Sequence, residues 1–206
     1  MEIFRMFQKC YQGMNDPISK NKIILASNSP RRKQLLHDMA LDFEIRVKQV
    51  NENFPENMQK EKVALYLCEK KASAFSQEEI AEDEIIITAD TIVCLGDQIL
   101  NKPGDRDHAI EMLKTLSGKK HEVITGVCLR SREKVKSFFV STNVYFKNLT
   151  QIEIEYYVDH LKPFDKAGAY GIQEWIGYIG IEKIEGSYFN VVGLPTARLY
   201  EELGKF

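Results

Sequence analysis

Cysteine and histidine are sparse in this sequence, four of each in 206 residues, and they are scattered. Cys10, Cys68, Cys94 and Cys128 form no Cys-x-x-Cys pair and no Cys/His cluster, and His37, His108, His121 and His160 stand at no metal-binding spacing, which argues against a zinc site. Cys94 and Cys128 fall in expected strands and read as buried thiols. No run approaches 18 apolar residues, so no membrane span is expected. The N-terminal stretch mixes charges with Phe4, Phe7 and Tyr11 and lacks a signal-peptide pattern. Excess positive charge is missing too: 28 Lys and Arg against 30 Asp and Glu leave a net charge of -2. That argues against nonspecific nucleic-acid binding but leaves room for a local basic pocket. No phosphate-binding loop, dinucleotide fingerprint or Gly-x-Ser-x-Gly elbow is present, nor are internal repeats, low-complexity segments or clear linkers. These absences point to a cytoplasmic protein, in which disulfides are not expected. The 44% apolar content suffices for the core of one large or two small domains.

What is present begins with Ile23-Ile24-Leu25-Ala26-Ser27-Asn28-Ser29-Pro30-Arg31-Arg32-Lys33. The apolar run reads as a buried strand. Ser29 is a good N-cap, and Pro30 suits the first helical position, where its missing N–H costs nothing. Three cations then occupy the first helical turn, the positive end of the macrodipole. A docked anion removes that mismatch; a solvated basic helix end is the plain alternative.

Residues 1–21 read as a leader, broken by Gly13, Asn15, Asp16 and Pro17. The pattern then predicts a strand at 23–26, a helix at 30–38, a strand at 43–50 and a helix at 59–76. A strand at 84–95 turns at Gly96-Asp97 into 98–100, and a helix at 106–116 ends near Gly118. Strands follow at 121–130 and 135–147, then a helix opened by the capping box Thr150…Glu153. A glycine-rich charged loop at 163–174, a strand at 176–184 and a helix from Pro195 complete the chain. Hairpins and crossover helices together indicate an α/β fold with a mixed sheet.

Asp90, in Ile85-Ile86-Ile87-Thr88-Ala89-Asp90-Thr91, reads as a carboxylate at the end of a buried strand. It is costly there unless solvated, paired or bound to metal; a turn Asp is the plain alternative. Lys102, before Pro103, either aims into a cleft or is exposed. Lys71 lies beside apolar helix positions, where snorkelling explains it as well. In Asp165-Lys166-Ala167-Gly168-Ala169-Tyr170-Gly171-Ile172-Gln173, two glycines permit close approach of backbone to ligand. Gln173 offers both a donor and an acceptor. Residue chemistry alone therefore reaches an anion-binding α/β protein and stops.

Taken in order, Leu25–Arg32, Ala89-Asp90-Thr91, Lys102-Pro103, Leu116-Ser117-Gly118, Thr125-Gly126-Val127, Asp165–Gln173 and Val192-Gly193-Leu194-Pro195 resemble the Maf family of nucleoside triphosphate pyrophosphatases over residues 22–206. The resemblance implies a long mixed sheet with flanking helices around a central nucleotide-binding cleft, as in inosine-triphosphatase-like proteins. It implies hydrolysis of a nucleoside triphosphate to the monophosphate and pyrophosphate, a divalent metal (Mg or Mn) and a homodimer. Asp90 matches the proposed proton acceptor or metal ligand, and Glu52 an acidic position that holds metal or assists the base. The family's Asp-Glu pair reads Asn51-Glu52 here. Lys71 and Lys102 would neutralise the leaving group, and Ser29, Arg31, Arg32 and Lys166 would bind substrate. Arg31, Thr91 and Gln173 match the specificity positions of the dTTP/UTP pyrophosphatase subfamily. The sister subfamily, associated with 7-methyl-GTP, tends to carry Ser-Asp-Gln at Ala89-Asp90-Thr91 and an acidic residue at Gln173. A different class of reading is a nucleotide-binding regulator of cell division.

Overall fold

A computed structural model describes residues 21–206; Cys10 and the leader residues Gly13, Asn15, Asp16 and Pro17 lie outside the described residues. The chain runs β1 (Lys22–Leu25), α1 (Pro30–Asp38), β2 (Phe43–Ile45), α2 (Lys60–Ser73), β3 (Glu84–Leu95), β4 (Gln98–Leu100), α3 (Arg106–Leu116), β5 (Lys120–Arg130) and β6 (Val135–Phe146). It continues through α4 (Gln151–Leu161), α5 (Trp175–Gly180), β7 (Ile181–Glu185), α6 (Tyr188–Val192) and α7 (Thr196–Leu203). Seven strands form one mixed sheet in the order β2-β1-β3-β5-β6-β7, with β4 paired to β3. β1 is parallel to β2 and β3, and every other pair is antiparallel. The expected α/β mixed sheet with flanking helices is therefore what forms.

The continuous apolar runs of β1 and β3 are strands covered on both faces. Ile23, Leu25, Ile85 and Ile87 pack against Leu35 and Leu36 of α1 and Leu199 and Leu203 of α7. On the other face Ile24 and Ile86 meet Phe75 and Ile80. Each fully buried Ile or Leu is worth roughly 1.5–3 kcal/mol of apolar burial, so this double layer anchors the N-terminal half of the sheet.

Local signals hold at several ends. Thr150 accepts from the Glu153 N–H while the Glu153 carboxylate accepts from the Thr150 N–H at 2.7 Å, opening α4. Gly118, at φ +67, follows the end of α3. Two expected strands are corrected. The strand expected at 43–50 stops at Ile45, because its neighbour β1 stops at Leu25; the Arg46 N–H takes the last rung on the Leu25 carbonyl. Residues 47–50 instead line a cleft. The strand expected at 176–184 is α5 followed by β7. Short apolar runs do not distinguish the two states, and the Gly177 and Tyr178 N–H groups bond back to the Glu174 carbonyl.

One discontinuity in the sheet positions everything that follows. β1 pairs with β3 as far as Ile87, and the pairing of β4 with β3 begins at Val93. Between them, Thr88–Ile92 has no strand neighbour on that edge among the described residues, while β5 runs unbroken along the other. The sheet is open at its middle strand.

Candidate active site

A cleft of about 1130 Å³ occupies this opening. The start of α1, residues 47–54, the middle of β3, residues 165–173 and residues 191–193 form its walls. Asp90 lies in the middle of a twelve-residue strand, which corrects the strand-end position expected for it. The apolar run of β3 continues past it because β5 pairs with it throughout.

Alternate side chains of a strand point to opposite faces, so β3 offers the cleft two chemistries. Asp90 faces α2, with Ile92 and Cys94 beside it packed near Val63 and Leu67. Its carboxylate bonds to the Lys71 ammonium, which also holds Glu52 at 2.8 Å. Lys102 reaches the far oxygen of Glu52 at 3.4 Å. Four expected residues thus form one chain of alternating charge, Asp90–Lys71–Glu52–Lys102. Asp90 and Lys71 are 13% and 17% exposed, against 48% and 57% for Glu52 and Lys102, so the chain runs from the cleft floor to its rim. Burial pushes the Glu52 carboxyl up, but the bonds and charges of Lys71 and Lys102 outweigh it and hold the group below its ordinary value. Asn51 closes its own loop by accepting from the Asn53 N–H at 2.8 Å. The Gly126 Cα lies opposite Asp90 in the ladder, and a Cβ there would overlap the Ala64 backbone. That glycine lets α2 lie directly on the sheet and brings Lys71 to Asp90.

The other face carries Thr91. It shares a rung with Thr125, and the two hydroxyl oxygens are 2.9 Å apart. Thr125 donates to the Asn190 carbonyl at 3.0 Å. Arg32 donates to Thr91 at 3.1 Å, to the Gly193 carbonyl at 2.8 Å and to Ser27 at 3.5 Å. The structure thus gives Arg32 protein partners and makes it a brace between α1, β3 and the turn after α6. Burial lowers its pKa, opposed by the charge of Asp90. Ser29 caps α1, accepting from the Arg32 N–H at 3.4 Å.

Arg31 leaves α1 in the opposite direction and bonds Asp165 at 2.8 Å. Lys166, 8% exposed, sits between Asp165 at 2.6 Å and Glu174 at 3.1 Å. Burial raises the Asp165 carboxyl, yet Lys166 and Arg31 bring it below its ordinary value. Tyr157 of α4 donates to Glu174 and accepts from the Gly171 N–H at 3.1 Å. Gly168, at φ +69, packs so close to Val93 that a Cβ would lie 2.9 Å from its methyl, which seats the loop on β3. Gln173 lines the cleft, and its Oε1 is buried without a partner among the described residues. The sequence does not single out Asn190, Tyr157 or Glu174, and Thr125 enters only as part of the Thr125-Gly126-Val127 piece, with no role of its own.

Asp90 and Glu52 offer hard oxygen donors on one side of the cleft, and no group of three or more His, Cys, Asp or Glu suited to a metal is assembled among the described residues. Two carboxylates completed by substrate phosphates fit the way Mg²⁺ is commonly held. The described residues contain no helix long and apolar enough to cross a membrane.

A mixed sheet opened at its central strand, with lysines and carboxylates on one side of the opening and hydroxyls and an amide on the other, defines an α/β protein built to hold a polar anionic ligand. Comparison narrows the class: residues 22–206 match the model described as Maf-like protein, and the chain belongs to the Maf family. A protein of Bacteroides fragilis named dTTP/UTP pyrophosphatase is 51% identical over 187 residues, covering 90% of this chain and 96% of that one. One of Parabacteroides distasonis with the same name is 48% identical over 194 residues, covering 94% and 100%. Among solved structures, the Staphylococcus aureus Ham1 protein is 18% identical at a TM-score of 0.45, covering 88% of this chain and 100% of that one.

Proposed function

We propose that this chain hydrolyses dTTP and UTP to the nucleoside monophosphates and pyrophosphate. The observation that carries the chemistry is the alternating charge chain Asp90–Lys71–Glu52–Lys102 in a cleft large enough for a nucleotide. The names of relatives at about half identity over most of the chain support the substrates.

Water attacks the α-phosphorus, the bond from that phosphorus to the bridging oxygen breaks, and the proton of the water passes to Asp90. Lys71 and Lys102 lie beside the carboxylates and neutralise the charge that gathers on the departing pyrophosphate. The bond from Lys71 also fixes the position of the Asp90 carboxylate in the cleft before substrate arrives. Asp90 and Glu52 are the residues that would hold a divalent cation, Mg²⁺ or Mn²⁺; bound there, it would add positive charge against the phosphates. Arg31 at the rim and the positive end of α1 supply further anion binding. Gln173 pairs with the edge of the base through a side-chain amide that offers both a donor and an acceptor. The same reading includes a homodimer in the cytoplasm, and sedimentation of the purified chain tests the assembly.

The direct test is pyrophosphate release from dTTP, UTP, CTP, GTP, ATP and 7-methyl-GTP, with and without Mg²⁺ or Mn²⁺. Metal-dependent release led by dTTP and UTP is expected. Release led by 7-methyl-GTP would keep the chemistry and overturn the substrate. No release from any of them would favour a nucleotide-binding regulator.

A further inference from the structure

We propose that Thr125 and the Asn190 carbonyl are positioning groups that make Thr91 a fixed hydrogen-bond acceptor toward the cleft. On this proposal the site selects a base with a ring N–H, as in a pyrimidine-2,4-dione, over one with a bare ring nitrogen. The inference rests on the nucleotide reading above and assigns its selectivity to residues outside the ligand contacts.

The polarity follows from counting protons. The Asn190 carbonyl can only accept, so Thr125 spends its single hydroxyl proton on it, at 3.0 Å. Thr125 is wholly buried, and its only remaining capacity toward Thr91 is to accept. The 2.9 Å contact between the two hydroxyls therefore has Thr91 as donor. A guanidinium can only donate, so Arg32 fills one lone pair of Thr91 at 3.1 Å. A hydroxyl has one proton and two lone pairs, and what Thr91 has left is one lone pair. Thr91 is half-buried on the cleft wall, so it can take a donor from a ligand and can give nothing.

A fixed polarity matters because the neighbouring groups have none. The Gln173 side chain lines the same cleft with a buried Oε1 that has no partner among the described residues. Rotating its amide exchanges donor and acceptor, so Gln173 alone suits the edge of uracil or of cytosine. A sugar hydroxyl likewise turns to suit either partner. The group that a fixed acceptor discriminates is one whose own polarity is fixed: a ring N–H is welcomed, and a ring nitrogen lone pair is repelled. The placement in the fold supports the assignment. Ala89 and Val127 belong to the core beside α1, and Val93 and Val123 to the core beside α3. The Thr91–Thr125 rung is the hydroxyl pair set between those apolar layers.

The test compares kcat/KM for pyrophosphate release from UTP and CTP in the full chain and in Thr125→Val, Thr125→Ser and Thr91→Val. Thr125→Val frees the Thr91 proton, while the Asn190 carbonyl keeps its bond from the Gly193 N–H at 3.1 Å. The UTP:CTP ratio is expected to fall about tenfold, the scale of one mispaired hydrogen bond. Thr125→Ser restores the proton chain and keeps the parent ratio. Thr91→Val removes the acceptor itself and lowers the ratio even if Thr125→Val fails to fold. An unchanged ratio in a folded Thr125→Val, or in Thr91→Val, overturns the proposal while leaving the pyrophosphatase reading intact. No release from either substrate by the parent chain overturns both.

Discussion

Lys71 bonds two carboxylates at once, Asp90 and Glu52, and that arrangement sets the sharpest expectation at the scale of single residues. Asn in place of Asp90 keeps the shape and removes both the charge and the proton acceptor. Asp90→Asn should therefore retain the parent's circular dichroism and lower kcat for pyrophosphate release by about 10²–10⁴. Near-parent turnover would remove Asp90 from the reaction. His121 gives a second expectation, unrelated to catalysis. It is 2% exposed, its Nε2 lies 2.7 Å from the Tyr170 hydroxyl, and burial pushes its pKa down to about 4 from an ordinary 6.5. Above pH 6.5 the folded and unfolded chains are both neutral there. As pH falls from 6.5 toward 4, the unfolded chain takes up the proton first, and the fold loses stability. By pH 5 the loss is about 2 kcal/mol. Urea denaturation at pH 7 and pH 5 should show it, and His121→Gln should flatten the slope.

Among elements, α2 decides whether the charge chain exists. It contributes Lys71, and its distance from the sheet is set where Gly126 meets the Ala64 backbone. Backbone cannot swing aside as a side chain does, so Gly126→Ala must lift α2 or bend β5. The expected cost is roughly 1–3 kcal/mol of stability. Turnover should fall further than the melting temperature implies, because Lys71 moves with the helix. Equal activity per folded molecule would separate α2 packing from the site. The same scale shows where sequence reading works. α1, β3, the Gly96-Asp97 turn, α3 and α4 follow from runs, caps and periodicity lying within a few residues. β2 and α5 do not: β2 stops because β1 stops, and the Ile176–Ile181 run, apolar under either assignment, is turned into α5 by its packing in the core that includes Tyr157 and Ile172.

Over the whole molecule, two apolar cores share one face of the sheet, and the cleft runs between them. A nucleotide bound there contacts both halves of the sheet and should stabilise them together. UTP added to Asp90→Asn at about 100 times its Kd should raise stability by about 2.7 kcal/mol, a melting shift of about 5–10 °C for a chain of this size. No shift at saturating UTP would mean that the cleft does not take the nucleotide. Separate transitions for the two halves would mean that the ligand does not bridge them.

The sequence by itself determined the class of fold, most of the elements and the residue types gathered for phosphate chemistry. Those depend on local periodicity, on caps and on short ordered motifs. Only the tertiary structure decided which of these residues meet. Lys71 finds Asp90 across 19 residues, Thr91 finds Thr125 across 34 and Thr125 finds Asn190 across 65, while Arg32 reaches Gly193 across 161. No local pattern encodes such pairs. They arise from the register of a whole sheet and from the helices packed against it: Thr91 meets Thr125 on the unbroken β3–β5 ladder, while α1, α2 and α6 bring Arg32, Lys71 and Asn190 to the strands.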